Sequence, residues 1–229
     1  MKKHYYGTEP IAMLFRDEIY INYYSNRTYC VKKKLQNKFM SIYKSLNRWQ
    51  YEYMPTLYQL SYLGHPILRQ KAKPIKNPKS KEIKKLVADM IATVEEFSGV
   101  GLAAPQVYQP LQLFIMSWEK NPKYPGIETI GPVAIMNPKI ISASKKKDKD
   151  WEGCLSLPGV RGNVPRHSEI KVSYTNLAGK RVTTTFKSIL ARIFQHEYDH
   201  LQGIMFTDQT KPADLISDKE YFKMTKKKK

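Results

Sequence analysis

The sequence predicts an α+β fold, with antiparallel β-sheets around a central α-helix. Three observations predict it. First, Glu169–Thr175 alternates apolar and polar residues, and Lys180–Phe186 is rich in Thr and Val; the two read as strands joined by a turn at Asn176–Gly179. Second, Leu111–Ser117 and Pro132–Asn137 are short apolar runs that read as further strands. Third, two segments carry apolar residues at helical spacing, and the second of them ends in a pair of histidines.

Taken in order, residues 1–60 form a basic extension. It holds ten of the 16 tyrosines, ten Lys or Arg and four acids. Acid-poor basic segments are typical of organelle-targeting leaders. An extension packed through its aromatics and a disordered one are the alternatives. Leu63–Arg69 reads as a turn leading into the globular part. A helix is expected over Lys81–Ser98, with Ile83, Leu86, Val87, Met90, Val94 and Phe97 on one face. Ser80 caps its start and Gly99 its end. Residues 119–131 read as a Pro/Gly-containing loop, Lys139–Ser144 as a further strand and Lys145–Asp150 as a charged, solvated loop. The second helix spans Ser188–Gln202, and Gly203 stops it. The domains expected are thus 1–60, a catalytic domain over 61–210, and a Lys-rich tail over 211–229; a helical turn or two is expected within Asp208–Lys229.

Composition excludes several classes. In 229 residues no apolar run reaches the roughly 18 residues needed to cross a bilayer, so no membrane insertion is expected. Two cysteines, Cys30 and Cys154, cannot build a disulfide framework. The net charge of +19 suggests an anionic partner such as a ribosome surface, or else simply solvated lysines.

The sharpest chemical signal is Gln195-His-Glu-Tyr-Asp-His200. Histidines four apart project from one helix face and can share a metal. Glu197, beside the first, can take a proton from water that the metal activates. A catalytic site needs a further ligand. Downstream of His200 stand only Asp208, Asp214, Asp218 and Glu220; upstream stands Cys154, in Trp151-Glu-Gly-Cys-Leu-Ser156. A thiolate suits Zn(II) or Fe(II). A single cysteine is ordinarily a buried small hydrophobe, but Gly153 beside it permits close approach. The third segment, Gly99-Val-Gly-Leu-Ala-Ala-Pro-Gln106, reads as a thin loop whose Gln106 can donate to a developing oxyanion.

These three segments in this order resemble the peptide deformylase family. The resemblance runs from about Leu63 to Phe206. Pro66–Pro74, Met136–Pro138, Leu157–Arg161 and Val164–Arg166 support it. It implies a peptide deformylase-like fold and hydrolytic removal of the formyl group from N-terminal formyl-methionine of new polypeptides, releasing formate. It implies that Cys154, His196 and His200 bind one divalent metal ion, Fe(II) first and Zn(II) as an alternative. Glu197 becomes the general base; Gln106 and the backbone N–H of Leu155 stabilise the oxyanion. The peptide would lie extended against Gly99, Val100 and Gly101 and against Gly153–Leu157; Val100, Ile189, Ile193 and the stem near His196 are by position candidates for the methionine pocket, with simple core packing as the alternative. Arg161 matches a position near the substrate channel, and Arg166 is expected to pair with Asp199. The family works where translation begins with formyl-methionine, in bacteria or in a plastid-like organelle or mitochondrion. Two rivals stand beside this reading. An ordinary His-Glu-x-x-His peptidase would take a non-cysteine third ligand, and a non-catalytic basic protein would bind RNA with steep salt dependence.

Overall fold

The computed structural model describes the backbone of residues 12–15, 18–22 and 28–32, and then residues 55–124 and 126–226. The chain divides into two compact units, Met1–Met54 and Pro55–Lys229. In the first, β1 (Ala12–Phe15), β2 (Glu18–Asn22) and β3 (Thr28–Lys32) form an antiparallel meander. These strands fall inside the expected extension; the leader reading otherwise concerns residues outside those described, as does the lysine run from 227 onward.

In the second unit, segment 55–60 docks before any regular element begins. The Thr56 N–H donates to Asp89 at 2.7 Å and the Tyr58 N–H to Thr93 at 3.0 Å. Both acceptors lie one turn apart on α1 (Lys81–Glu96), so one helix face holds an extended strand of chain. Ser80 caps this helix, its side chain accepting from the Ile83 N–H at 3.2 Å. The helix ends at Glu96, two residues short of the expected Ser98, and Ser98, not Gly99, takes the left-handed conformation after it, with a φ of 50°.

Five strands form the main sheet: β4 (Gly101–Ala103), β5 (Leu113–Trp118), β6 (Ile130–Ala143), β9 (Glu169–Thr175) and β10 (Arg181–Lys187). Their order is β10-β9-β6-β5-β4, all antiparallel. Strand β5 explains why its sequence is a continuous apolar run. Leu113 and Ile115 face α1 with Leu86, Met90 and Val94. Phe114 and Met116 face the opposite layer with Ala191 and Phe194. A strand covered on both faces loses the alternation of a half-exposed one. The two strands expected around residue 138 are one strand, β6, with a register shift between Met136 and Lys139. Pro138 cannot donate to the ladder, and Asn137 turns through a φ of 46° instead. Its side chain recovers the lost bonds by pairing with both backbone groups of Ile75 at 2.8 Å.

The second sheet has the order β11-β8-β7, from β7 (Lys147–Cys154), β8 (Leu157–His167) and β11 (Leu215–Ser217). Here the reading of Lys145–Asp150 as a loop needs correction. β7 is an edge strand whose exposed Lys147, Asp148 and Lys149 carry no apolar pattern. Its pairing is dictated by β8, and charges on an edge discourage further strand addition. In the C-terminal segment the expected helical turns form α3 (Asp218–Lys226), and strand β11 before them was not expected. Ordered structure therefore extends beyond both ends of the expected 61–210.

Between the two sheets runs α2 (Ser188–Leu201). It touches β4, β5, β9 and β10 of one sheet and β8 of the other. Phe194 is fully buried and meets Phe114 edge-on, with centroids 5.1 Å apart. Such a pair contributes about 0.5–1.5 kcal/mol beyond its buried area. Gly203 ends the helix with a φ of 76°, close enough to the Arg69 backbone that a Cβ would stand 2.7 Å away. Among the described residues no helix is long and apolar enough to cross a membrane.

Candidate metal centre

Helix α2 aims Arg192, His196 and His200, each one turn from the next, toward the second sheet. The imidazoles of His196 and His200 meet edge-on, with centroids 5.1 Å apart. Cys154 arrives at the end of β7, in the tight turn before β8, and its Sγ lies 3.3 Å from His200 Nε2. It carries no disulfide. The ligating atoms of Cys154, His196 and His200 all lie within 4.8 Å of one another, the one such grouping of His, Cys, Asp and Glu found among the described residues. Thiolate and imidazole are the ligand set that first-row divalent ions such as Zn(II) and Fe(II) favour. The fit has a second sign. The buried Glu197 Oε2 has no hydrogen-bond partner in the protein. A stranded carboxylate oxygen beside such a donor set is what a site that binds an ion and water requires.

The peptidase alternative finds no third ligand. Asp208 pairs with Arg69, Asp214 with Lys149, Asp218 with Arg161 and Glu220 with Lys223.

Behind the histidines lies Glu152, a residue the sequence reading quoted only as part of a motif. It is 6% exposed. Its Oε2 accepts from His196 Nδ1 at 2.9 Å, which orients the ring so that Nε2 faces Cys154. Its carboxylate also takes a two-bond clasp from Arg166, at 2.9 and 3.0 Å, and a bond from Arg192 at 2.7 Å. Burial opposes the Glu152 charge, but His196 and Arg166 together hold its carboxyl well below the usual range. The signal was present: in a strand, residues two apart share a face, so Glu152 follows Cys154 to the site. Arg192 carries a similar signal, a charge on the helix stripe that leads to the histidines. It also donates to the Val164 carbonyl at 2.8 Å, tying α2 to β8. Arg166 joins the same network from β8 and pairs with Asp199 on α2, as expected.

The electrostatics set the two histidines apart. Burial disfavours charge on His196, yet Cys154 and Glu152 raise its pKa well above the usual value. Burial and the neighbouring His196 charge push His200 well below it. Glu197 is pushed up to about 7, chiefly by burial, with His196 opposing and Glu152 reinforcing the shift.

The segment expected as a thin loop is in fact strand β4 followed by a 3-10 turn over Ala104–Val107. Its small residues serve close approach. A Cβ on Gly101 would fall 2.3 Å from Glu197 Oε1. Gln106 is fixed at both ends of its amide: Oε1 accepts from the Ala103 N–H at 2.7 Å, and Nε2 donates to Ser156 Oγ at 3.1 Å and Cys154 Sγ at 3.5 Å. Residues 61–63 brace this arrangement, with the Ser61 N–H on the Gln106 carbonyl and the Leu63 N–H on the Ser156 carbonyl, both at 2.8 Å.

An open cleft of about 500 Å³ runs over these groups. Its walls include Gly99, Val100 and Gly101 on one side, Gly153 and Leu155 on the other, and Ile189 and Ile193 on α2. Gln106, Cys154, His196 and Glu197 also line it, so all three motifs meet in one cavity.

Comparison with known proteins gives the same direction. A family model described as polypeptide deformylase matches residues 57–215. Peptide deformylase 2 of Nostoc sp. is 44% identical over 174 residues, 76% of this chain and 97% of that protein. The Met-Ala-Ser-bound class I type b peptide deformylase from Acinetobacter baumannii has a TM-score of 0.65 at 39% identity, covering 68% of this chain and 99% of that one. The peptide deformylase from Thermotoga maritima has a TM-score of 0.62 at 37% identity, covering 69% and 99%.

Proposed function

The chain belongs to the polypeptide deformylase family, and we propose that within it Cys154, His196 and His200 hold the metal ion and Glu197 is the base. The family reaction is metal-dependent hydrolysis of the formyl amide at the N-terminus of newly made formyl-methionyl polypeptides. The observation that carries the residue assignment is the clustering of one thiol and two imidazoles beside an unpartnered buried carboxylate oxygen.

A bound divalent ion would supply Lewis acidity to the formyl oxygen and to water. The protein groups do the rest. Glu197 takes the proton of the attacking water and passes it to the departing amine nitrogen, so that formate and a free methionine amine result. Gln106 Nε2 and the Leu155 N–H donate to the oxygen as it gains charge. Glu152 keeps His196 in its ligating orientation. Gly99–Gly101 and Gly153 offer backbone to an extended peptide, while Ile189 and Ile193 take the methionine side chain. The Met-Ala-Ser peptide on the Acinetobacter baumannii relative supports a methionine-first ligand. With a thiolate in the donor set, Fe(II) is the ion we assign, with Zn(II) able to replace it.

The net charge of +19 supports an encounter with ribosomes, which present the substrate. The Nostoc sp. relative fits bacterial-type translation, and the basic, acid-poor residues 1–60 favour an organelle as its setting. The domains we propose are that extension, the catalytic unit and the Lys-rich C-terminus. Protein purified without oxygen is tested by its metal content and by formate release from a formyl-Met tripeptide, before and after exchange of the ion for Zn(II). Iron at one ion per chain, with activity that falls on exchange, supports the assignment. Zinc as purified, with full activity, refutes the choice of iron.

A further inference from the structure

Helix α3 contributes to the cleft, and no step above uses it. Strand β11 pairs with β8 at Ser217–Val160, Ile216–Arg161 and Leu215–Gly162, which delivers Asp218 to the cavity wall beside Arg161. Arg161 Nε donates to Asp218 Oδ1 at 2.6 Å. The guanidinium lies over the Tyr221 ring at 4.5 Å and the Phe222 ring at 5.3 Å. Tyr221 in turn meets Trp151, another wall residue, at 5.9 Å. On its inner side Arg161 approaches Gly153, where a Cβ would stand 3.5 Å from Nη1. The family match ends at residue 215, ahead of all these α3 groups.

The placement has a consequence for selectivity. The formyl end of a substrate must reach Cys154 and Glu197, so the residues after methionine pass along Gly153 toward Arg161. An Arg161 charge with no partner would favour acidic side chains there and repel basic ones. New polypeptides vary freely at these positions. We propose that Asp218 and Tyr221 are specificity-determining residues that quench and immobilise Arg161, so that the cleft accepts acidic and neutral residues after methionine about equally. This deepens the deformylase reading and rests on it.

The test is the ratio of kcat/KM for formyl-Met peptides bearing Glu against those bearing Gln at the second or third position. In the intact chain the ratio is near one. In Asp218→Asn it rises about fivefold at low salt and declines as salt is added, because the effect is one of exposed charge. Asp218→Ser is made beside it; both variants leave the cap of α3 intact, since Ser217 Oγ accepts from the Glu220 N–H at 3.3 Å. The double variant Arg161→Gln with Asp218→Asn returns the ratio to that of the intact chain. A ratio unchanged in both single variants at either position overturns the proposal. So does a rise that survives high salt or the double variant. Failure of the intact chain to release formate from any of the peptides overturns the underlying reading, and the proposal with it.

Discussion

Gly101→Ala is the perturbation that isolates the placement of Glu197. The backbone of Gly101 is not in the left-handed region, so alanine costs nothing in conformation there. The cost is contact. The new Cβ would stand 2.3 Å from Glu197 Oε1, 2.7 Å from Cδ and 2.8 Å from Cγ. Ordinary contact begins near 3.4 Å, so the carboxylate must move by about 1 Å. Turning the carboxylate alone does not relieve the clash, because the new Cβ also meets Cγ, which is part of the stem fixed to α2. A displacement of about 1 Å at a reacting group can lower the rate about 100-fold. Overpacking of this kind costs about 1–3 kcal/mol of stability. None of the three proposed ligands is touched, so the metal content should persist. The assay is kcat/KM for formate release, alongside metal analysis and a thermal melt. A folded, metal-loaded Gly101→Ala enzyme within threefold of the intact chain would show that Glu197 does not act from this position.

Other substitutions probe the surrounding network. Glu152→Gln removes the counter-charge of two buried arginines and turns one of the two oxygens that accept from Arg166, Arg192 and His196 into a donor, and should cost about 3–5 kcal/mol and lower metal affinity about 10–100-fold; unaltered metal affinity, measured by competition with a chelator, would argue against an orienting role. Asp199→Asn weakens the link from α2 to Arg166 and should lower stability by about 1–2 kcal/mol with little change in the slope of the denaturant transition; equal midpoints for the two proteins would exclude that link. For acid stability, burial opposes the Asp150 charge, but Lys123, Tyr124 and the Trp151 N–H together hold its carboxyl below the usual 3.8. A depressed carboxyl stabilises the fold above its unfolded pKa, and that contribution is lost as pH falls through the folded value. Asp150→Asn should therefore melt lower than the intact chain at pH 7 and converge with it below about pH 4; parallel curves down to pH 2 would refute the assignment.

The parts of the fold legible in the sequence are those whose burial leaves a period. Helices α1 and α2 show their apolar stripes, and the β9–β10 hairpin shows alternation with a glycine at its turn. Strand β7 was hidden because it carries no aliphatic alternation: Lys147, Asp148 and Lys149 are exposed, and its one buried residue is the charged Glu152. Pairing with β8, the next strand along the chain, decides its conformation. The break expected at Pro138 misled for a local reason, since a side chain, Asn137, took over the bonds that the proline cannot make. The candidate site was legible where a residue type is chemically unusual for its place, as with histidines on an apolar stripe or a cysteine beside glycine. Glu152 and Arg192 carry only a positional signal in the sequence, Glu152 two residues before Cys154 and Arg192 one helical turn before His196. Their role depends on three elements meeting, and only the fold shows that Arg166, Arg192 and His196 converge on one carboxylate. The pairing of Asp218 with Arg161 likewise needs β11, which a three-residue strand in a charged tail does not advertise.

The most direct test compares the intact chain with Cys154→Ala and Glu197→Ala, all purified without oxygen, by metal content and by formate release from a formyl-Met tripeptide. The account predicts one ion per intact chain, loss of the ion in Cys154→Ala, and retention of the ion with loss of formate release in Glu197→Ala. A Cys154→Ala protein that keeps its ion, or a Glu197→Ala protein that still releases formate at the intact rate, would contradict it.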